Sequence, residues 1–482
     1  MATEENTPPQ EKREFPPLNK WLWMVAGVIG VAGILFGYDQ GVIAGALKGI
    51  QNDLHVSDTV LSVITSWVTL GALVGALVAG TMADRFGRKT ALLFAGALFA
   101  VGAVVEGVAP GTVVLVIGRL TVGFAVGVAS VAAPLYAAEM APARLRGRYV
   151  SGYQLGITFG IFVAYLVAQL LDAADWRWML GLSGIVGVLL IIAIVPLPDT
   201  PRWFVKRGRH DDAVKALEKV DDTGDPAATL EHLEEDIKAD AQASWGEVFS
   251  ARWRAPLLIG IGLAVFQQIT GINAIIYYAN NIFEAAGFHS FESQTEATTW
   301  AIGAVNVVAT LIAVKYVDRV GRKPLLLTGL VGMGVSLLVV GFAFQDIADN
   351  PDATGTTTAG IVTLIALIVY ITSFAFSLGP VVWTMINEIY PRQVRGRMVS
   401  IATAFNWFAA FVVAQLFLDV TNAIGESGTF WIFAGFCLLA FLWIWRYVPE
   451  TKDRTLEEIQ AMFSKRFDDG EQEKKDAAGG VS

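Results

Sequence analysis

Asp84-Arg85-Phe86-Gly87-Arg88-Lys89 returns later in the chain as Asp318-Arg319-Val320-Gly321-Arg322-Lys323. Each copy separates two long apolar runs, and each is followed by a second repeated element. Glu139, with Arg146-Gly147-Arg148 beginning seven residues on, returns as Glu388 with Arg395-Gly396-Arg397. A repeat at this spacing divides the chain into two halves built on one plan.

The runs around the repeats decide what kind of halves these are. Stretches 21–47, 90–117 and 358–386 are almost free of ionisable groups, and each can cross a hydrocarbon core about 30 Å thick. The whole chain is 54% hydrophobic and 16% charged, against about a quarter charged in an ordinary soluble domain. An all-α membrane protein follows, with spans predicted at 21–46, 58–80, 90–108, 111–137, 150–171, 177–197, 256–285, 297–315, 324–344, 358–386, 399–419 and 428–447. The longest polar interruption sets the domain plan: tail 1–20, six-helix bundle 21–197, linker 198–255, six-helix bundle 256–447, tail 448–482. Within the linker, 211–220 and 229–239 have charged, amphipathic patterns and are predicted as short surface helices.

Basic residues orient the chain. Of 35 Lys and Arg, only Lys48, Arg119 and Arg177 fall outside the tails and alternate loops, with Lys315 and Arg446, at the inner ends of their spans, counted with the adjoining loop and tail. That asymmetry predicts cytoplasmic repeats and cytoplasmic termini. The acidic start, with Glu4, Glu5 and Glu11, is unlike a secretory leader, so the first apolar run is read as a retained helix. A net charge of −9 averages over membrane and water and implies no nucleic-acid partner. Cys437 is the single cysteine, so no internal disulfide and no metal site are expected. No nucleophile–base pair or Gly-rich phosphate loop stands out, so neither an enzyme nor a cofactor is expected.

Three further motifs complete the picture. Gly80 opens the first copy of a G-x3-D-R-x-G-R-K loop, Pro198-Asp199-Thr200-Pro201-Arg202 follows the sixth span, and Pro449-Glu450-Thr451-Lys452 follows the twelfth. With these, the sequence resembles the sugar porter family of the major facilitator superfamily over nearly its whole length, including bacterial sugar–proton symporters and facilitative glucose transporters. The resemblance implies two six-helix bundles related by an axis along the membrane normal, a multi-pass protein of a bacterial cell membrane, and a monomer able to work alone. It also implies that Asp84, Arg88, Glu139 and Arg146, with Asp318, Arg322, Glu388 and Arg395, hold the cytoplasmic side shut until it opens. Exposed pairs contribute about 0–1 kcal/mol each, a size that lets such a gate release. The plainer reading, basic loops that only set topology, leaves the recurring acids unexplained.

A monosaccharide offers hydroxyls and C–H faces, so its site needs neutral amides and aromatic rings. Amides are costly in lipid, and here they collect at Gln154, Gln267, Gln268, Asn273, Asn306 and Asn406. Gly271, between Gln268 and Asn273, is placed to break the seventh span, and Asn273 and Tyr277 share a face. The resemblance gives these positions the role of hydrogen-bonding the sugar, and gives Trp383 and Trp407 that of packing on its ring. Gly379-Pro380 is expected to loosen the tenth span as an inner gate. Asn406 beside Trp407 favours glucose, although xylose, galactose and inositol carriers share most of these amides. Helix-to-helix glue is the alternative use of such residues.

Asp39 lies in mid-span, where a charge costs about 2.5–3.5 kcal/mol. Gly33, Gly37, Gly41 and Gly45 form a stripe for close helix contact, and Asp39 points elsewhere. Arg119, a basic residue deep in a span, is its expected partner. Asp39 then stays ionised while paired and takes up a proton when unpaired, which makes proton symport the expected mechanism. A structural ion pair is the plainer reading. Sugar uniport is the first alternative and a membrane sugar sensor a remote one. Glu106, near the outer end of the third span, is read as peripheral.

Overall fold

A computed structural model describes residues 19–142, 145–221, 225–239, 245–350, 357–391, 394–452 and 458, and every regular element among them is helical. The first half comprises α1 (Lys20–Leu54), α2 (Asp58–Phe86), α3 (Arg88–Gly107), α4 (Thr112–Met140), α5 (Arg146–Leu170) and α6 (Trp176–Ile194). Their apolar character runs all round, as it must where one face meets lipid and the other meets protein. Leu77, Val101 and Ile192 accordingly stand exposed on the perimeter, while Ile64, Phe99 and Leu190 are buried.

Glycine determines how closely these helices approach. A Cβ on Gly37 would run into the Ile157 carbonyl, and one on Gly41 would lie 2.9 Å from the Ile161 carbonyl. The stripe on α1 therefore packs against α5, backbone to backbone. At the repeated loop, Gly87 (φ 102°, ψ 155°) and Gly321 (φ 110°, ψ 153°) make the same turn, in a region that side chains rarely enter.

The linker holds α7 (Pro201–Lys206), α8 (His210–Val220), α9 (Pro226–Ala239) and α10 (Trp245–Val248). Thr200 caps α7 with Pro201 in its first turn, a favoured start for a helix. Asn19 Nδ2 donates to the Lys219 carbonyl at 2.7 Å, and the Trp21 ring lies under the ammonium groups of Lys20 and Lys219. These contacts tie α8 to the first half.

The second half departs from unbroken helices. Its seventh span is α11 (Arg254–Ile269), α12 (Ile272–Tyr277) and α13 (Ala279–Ala285). It breaks at Gly271 (φ 100°), as the sequence predicts, and again at Tyr278. The eighth runs from α14 (Phe291–Ala297) through a π-helical turn, Thr298–Ala304, into α15 (Val305–Val320). The ninth is α16 (Arg322–Asp349), and the tenth is α17 (Thr358–Phe376) with α18 (Leu378–Ile389). Its break lies at Ser377 (φ −122°, ψ −97°), one turn ahead of the expected Gly379-Pro380. The reason is that Pro380 has no N–H for the Phe376 carbonyl and its ring crowds that group. Finally α19 (Arg395–Tyr447) has 53 residues, about 80 Å of helix, and folds back at Gly425 (φ 78°, ψ 167°). The described residues thus hold eleven helical stretches able to span a membrane, of which α19 makes two crossings.

The halves meet through α2 against α19, α1 against α12, and α5 against α15 and the π-turn. Several side-chain links gather at the ends away from the basic loops: Ser66 Oγ to Gln415 Oε1 at 2.7 Å, Asn422 Nδ2 to Asp58 Oδ2 at 3.0 Å, and Lys48 Nζ to Glu284 Oε1 at 2.6 Å.

Candidate functional site

The helix breaks at Gly271 and Ser377 bring the amides of the second half together. Gln267 Nε2 donates to the Leu378 carbonyl at 2.7 Å, just past the break at Ser377. Asn406 Nδ2 donates to Gln267 Oε1 (2.9 Å) and to the Ala264 carbonyl (2.9 Å). Gln268 Nε2 donates to Asn406 Oδ1 (3.2 Å), and Asn273 Nδ2 donates across the Gly271 turn to Gln268 Oε1 (2.8 Å). The chain then crosses to the first half, where Gln40 Nε2 donates to Asn273 Oδ1 (3.1 Å) and Tyr277 Oη (3.5 Å). Gln267, Gln268, Asn273 and Asn406 each both donate and accept, so sugar hydroxyls can replace amide–amide bonds one for one.

Trp407 is buried beside this chain with its ring 5.2 Å from that of Phe36. Trp383 is half-buried on α18, Gln154 half-buried on α5, and Asn306 buried just after the π-turn. Among the described residues, no hydrogen bond joins these last three to the amide chain. Gln40 is absent from the sequence-based set. Its signal in the sequence is an amide next to Asp39 in a spanning segment.

One residue before Gln40, Asp39 Oδ1 accepts from Arg119 Nη1 at 2.8 Å. Arg119 is fully buried, and its Nε donates to the Ile64 carbonyl at 3.3 Å. The expectation that Glu106 is peripheral is overturned: it is 1% exposed, with Oε1 3.7 Å from Arg119 Nη1. Glycine is the cause. A Cβ on Gly118 would meet Glu106 Cγ at 2.6 Å, so the bare backbone beside Arg119 is what lets Glu106 lie inward.

At the inner rim, Arg88 Nε lies 2.9 Å from Glu139 Oε2 and its Nη2 2.9 Å from Asp84 Oδ1. Thr200 Oγ1 donates to Glu139 Oε2 at 2.5 Å. Asp199 accepts from the backbone N–H groups of Arg88 (2.9 Å), Lys89 (3.2 Å) and Thr200 (2.8 Å), which caps α3. Burial lifts the Asp199 carboxyl above its usual range, and those three N–H groups pull the other way. The second half repeats this. Arg322 Nη2 donates to Glu388 Oε1 (3.0 Å), Thr451 Oγ1 to Glu388 Oε2 (2.6 Å), and Glu450 caps α16 through Arg322 N (3.0 Å) and Lys323 N (3.1 Å). Arg395 Nε donates to the Tyr390 carbonyl at 3.0 Å. The side chains of Arg146 and Asp318 lie outside the described residues. Asp199, Thr200, Glu450 and Thr451 were read only as motif members, and the paired caps give them a physical role. These pairs join helices within a half.

The chain matches the family described as sugar (and other) transporter over residues 25–463. It is 40% identical over 443 residues to a putative metabolite transport protein, YwtG, of Bacillus subtilis (strain 168), covering 92% of this chain and 94% of that one. It is 37% identical over 456 residues to the galactose-proton symporter of Escherichia coli (strain K12), covering 94% and 96%. Its fold is similar to the partially occluded inward open conformation of the xylose transporter XylE from E. coli, with TM-score 0.79, 28% identity, and 91% of this chain and all of that one covered.

Proposed function

The chain belongs to the sugar porter family of the major facilitator superfamily and is a multi-pass membrane sugar transporter; from that premise we propose that it carries a hexose or pentose, glucose favoured, inward with a proton by alternating access. The observation that carries the reading is the buried Asp39–Arg119 pair at 2.8 Å, next in sequence to Gln40, which bonds the amide chain of the seventh span. A galactose-proton symporter among the relatives supports the co-substrate.

The sugar enters from the outer side and exchanges hydroxyls for the bonds among Gln267, Gln268, Asn273 and Asn406. Tyr277, Gln154 and Asn306 add polar contacts, and Trp383 and Trp407 supply ring faces. Asp39 receives a proton once its bond to Arg119 opens. The backbone it shares with Gln40 carries that change to the sugar-binding helix. The halves then rock, the pairs around Glu139 and Glu388 rearrange at the inner rim, and sugar and proton leave on the side of the basic loops. Both termini lie on that side, and one chain in a bacterial cell membrane suffices. Each proton contributes about 2.3 kcal/mol per 100 mV of potential.

The test is uptake in liposomes with a panel of hexoses, pentoses and polyols while external pH is recorded. Symport requires alkalinisation of the medium with sugar entry, lost in Asp39→Asn. Uptake without any proton movement makes the protein a uniporter.

A further inference from the structure

We propose that Glu106 is the second counter-ion of Arg119, taking over the guanidinium when Asp39 is protonated. The inference rests on the reading of Asp39 as the proton carrier. In the observed arrangement Arg119 Nη1 is held by Asp39 at 2.8 Å, and Glu106 Oε1 waits at 3.7 Å from the same nitrogen. Two buried atoms here lack hydrogen-bond partners, Glu106 Oε1 and Arg119 Nη2. They belong to the two groups that would join on a swap. The Arg119 and Glu106 side chains are 0% and 1% exposed, so water does not compensate either one.

Charge balance gives the swap its purpose. With Asp39 alone, its protonation would strand a buried guanidinium, and breaking such a pair is strongly unfavourable. With Glu106 present, the protonated state keeps one anion against one cation. The other groups facing the cluster leave this balance intact. Tyr277 approaches Arg119 from the seventh span as a phenol that accepts from Gln40. Tyr38 and Tyr165 donate to the Met179 and Ile276 carbonyls. Arg177 on α6 is engaged by Asp53 and the Ala109 carbonyl. Glu106 is thus a positioning residue, acting on the proton through Arg119.

The full chain in liposomes tests this, with labelled D-glucose, D-galactose or D-xylose, whichever the wild type takes up fastest. Glu106→Gln is expected to move the pH of half-maximal gradient-driven uptake about one unit or more to acid, a loss of about tenfold near neutrality that acidic medium restores. Glu106→Asp keeps the charge and is expected to stay near the wild-type profile. Glu106→Ala serves with the same expected shift where the glutamine variant does not fold. An unmoved pH profile, or a loss equal at every pH, overturns the proposal by making Glu106 a packing residue. A wild type that moves no protons removes it together with the symport reading. A coupled wild type with an unshifted Glu106→Gln removes this proposal alone.

Discussion

In the first half Arg88 pairs with Glu139 at 2.9 Å, Thr200 bonds the same carboxylate, and Asp199 caps the third span. In the second, Arg322 pairs with Glu388 at 3.0 Å, Thr451 bonds that carboxylate, and Glu450 caps the ninth span. Inside the bundles the likeness ends. The first half buries ions (Asp39, Arg119 and Glu106) on unbroken helices, while the second buries Gln267, Gln268, Asn273 and Asn406 beside breaks at Gly271 and Ser377. The two rims must move as a matched pair, so one design serves both. On the proposed reading the two centres handle different cargo, a charge and a neutral polyol, which accounts for their divergence.

The comparison breaks most visibly at the centres. Asp39→Asn is expected to abolish accumulation, about fifty-fold at 100 mV, while labelled-sugar exchange continues. Concentrative uptake and counterflow in liposomes separate the two. Asn406→Ala leaves Gln267 and Gln268 short of a partner at about 1.4 kcal/mol, so KM should rise roughly tenfold in both assays with the proton-to-sugar ratio unchanged. At the rims the halves should answer in the same direction. Glu139→Gln removes a buried ion pair and Glu388→Gln a partly exposed one, so transport rates should change in both, and more in the first. An effect at one rim alone would mean that it gates without the other. Asp199→Ala and Glu450→Ala each remove a helix cap of about 1 kcal/mol, and detergent melting points should fall about 1 °C in both. Smallest is Lys48→Ala, which cuts an exposed link to Glu284 and should alter turnover about twofold at most.

Much of this was legible in order along the chain. The doubled loop exposed the two halves, apolar run lengths exposed the spans, and Gly271 between amides exposed the broken seventh helix. What stayed hidden depends on neighbours in space. Glu106 reads as peripheral because it is one residue from a helix end, and only the bare backbone of Gly118 turns it inward. The tenth span is expected to loosen at Gly379-Pro380, whereas it breaks at Ser377, because the group that the proline crowds belongs to Phe376. The π-turn has no sequence signature here, but it brings Gly303 against the Tyr165 ring, 3.0 Å from where a Cβ would sit. Gln40 adjoins Asp39 in sequence, and only the fold places Asn273 opposite it.

Asp199 and Glu450 each lie just past the last span of their own half and clasp the start of that half's third span. Each bundle is therefore laced shut by its own trailing residues, with no help from the other. Two separate polypeptides, cut between Ala239 and Trp245 and produced together, should find each other in the membrane and restore a working carrier.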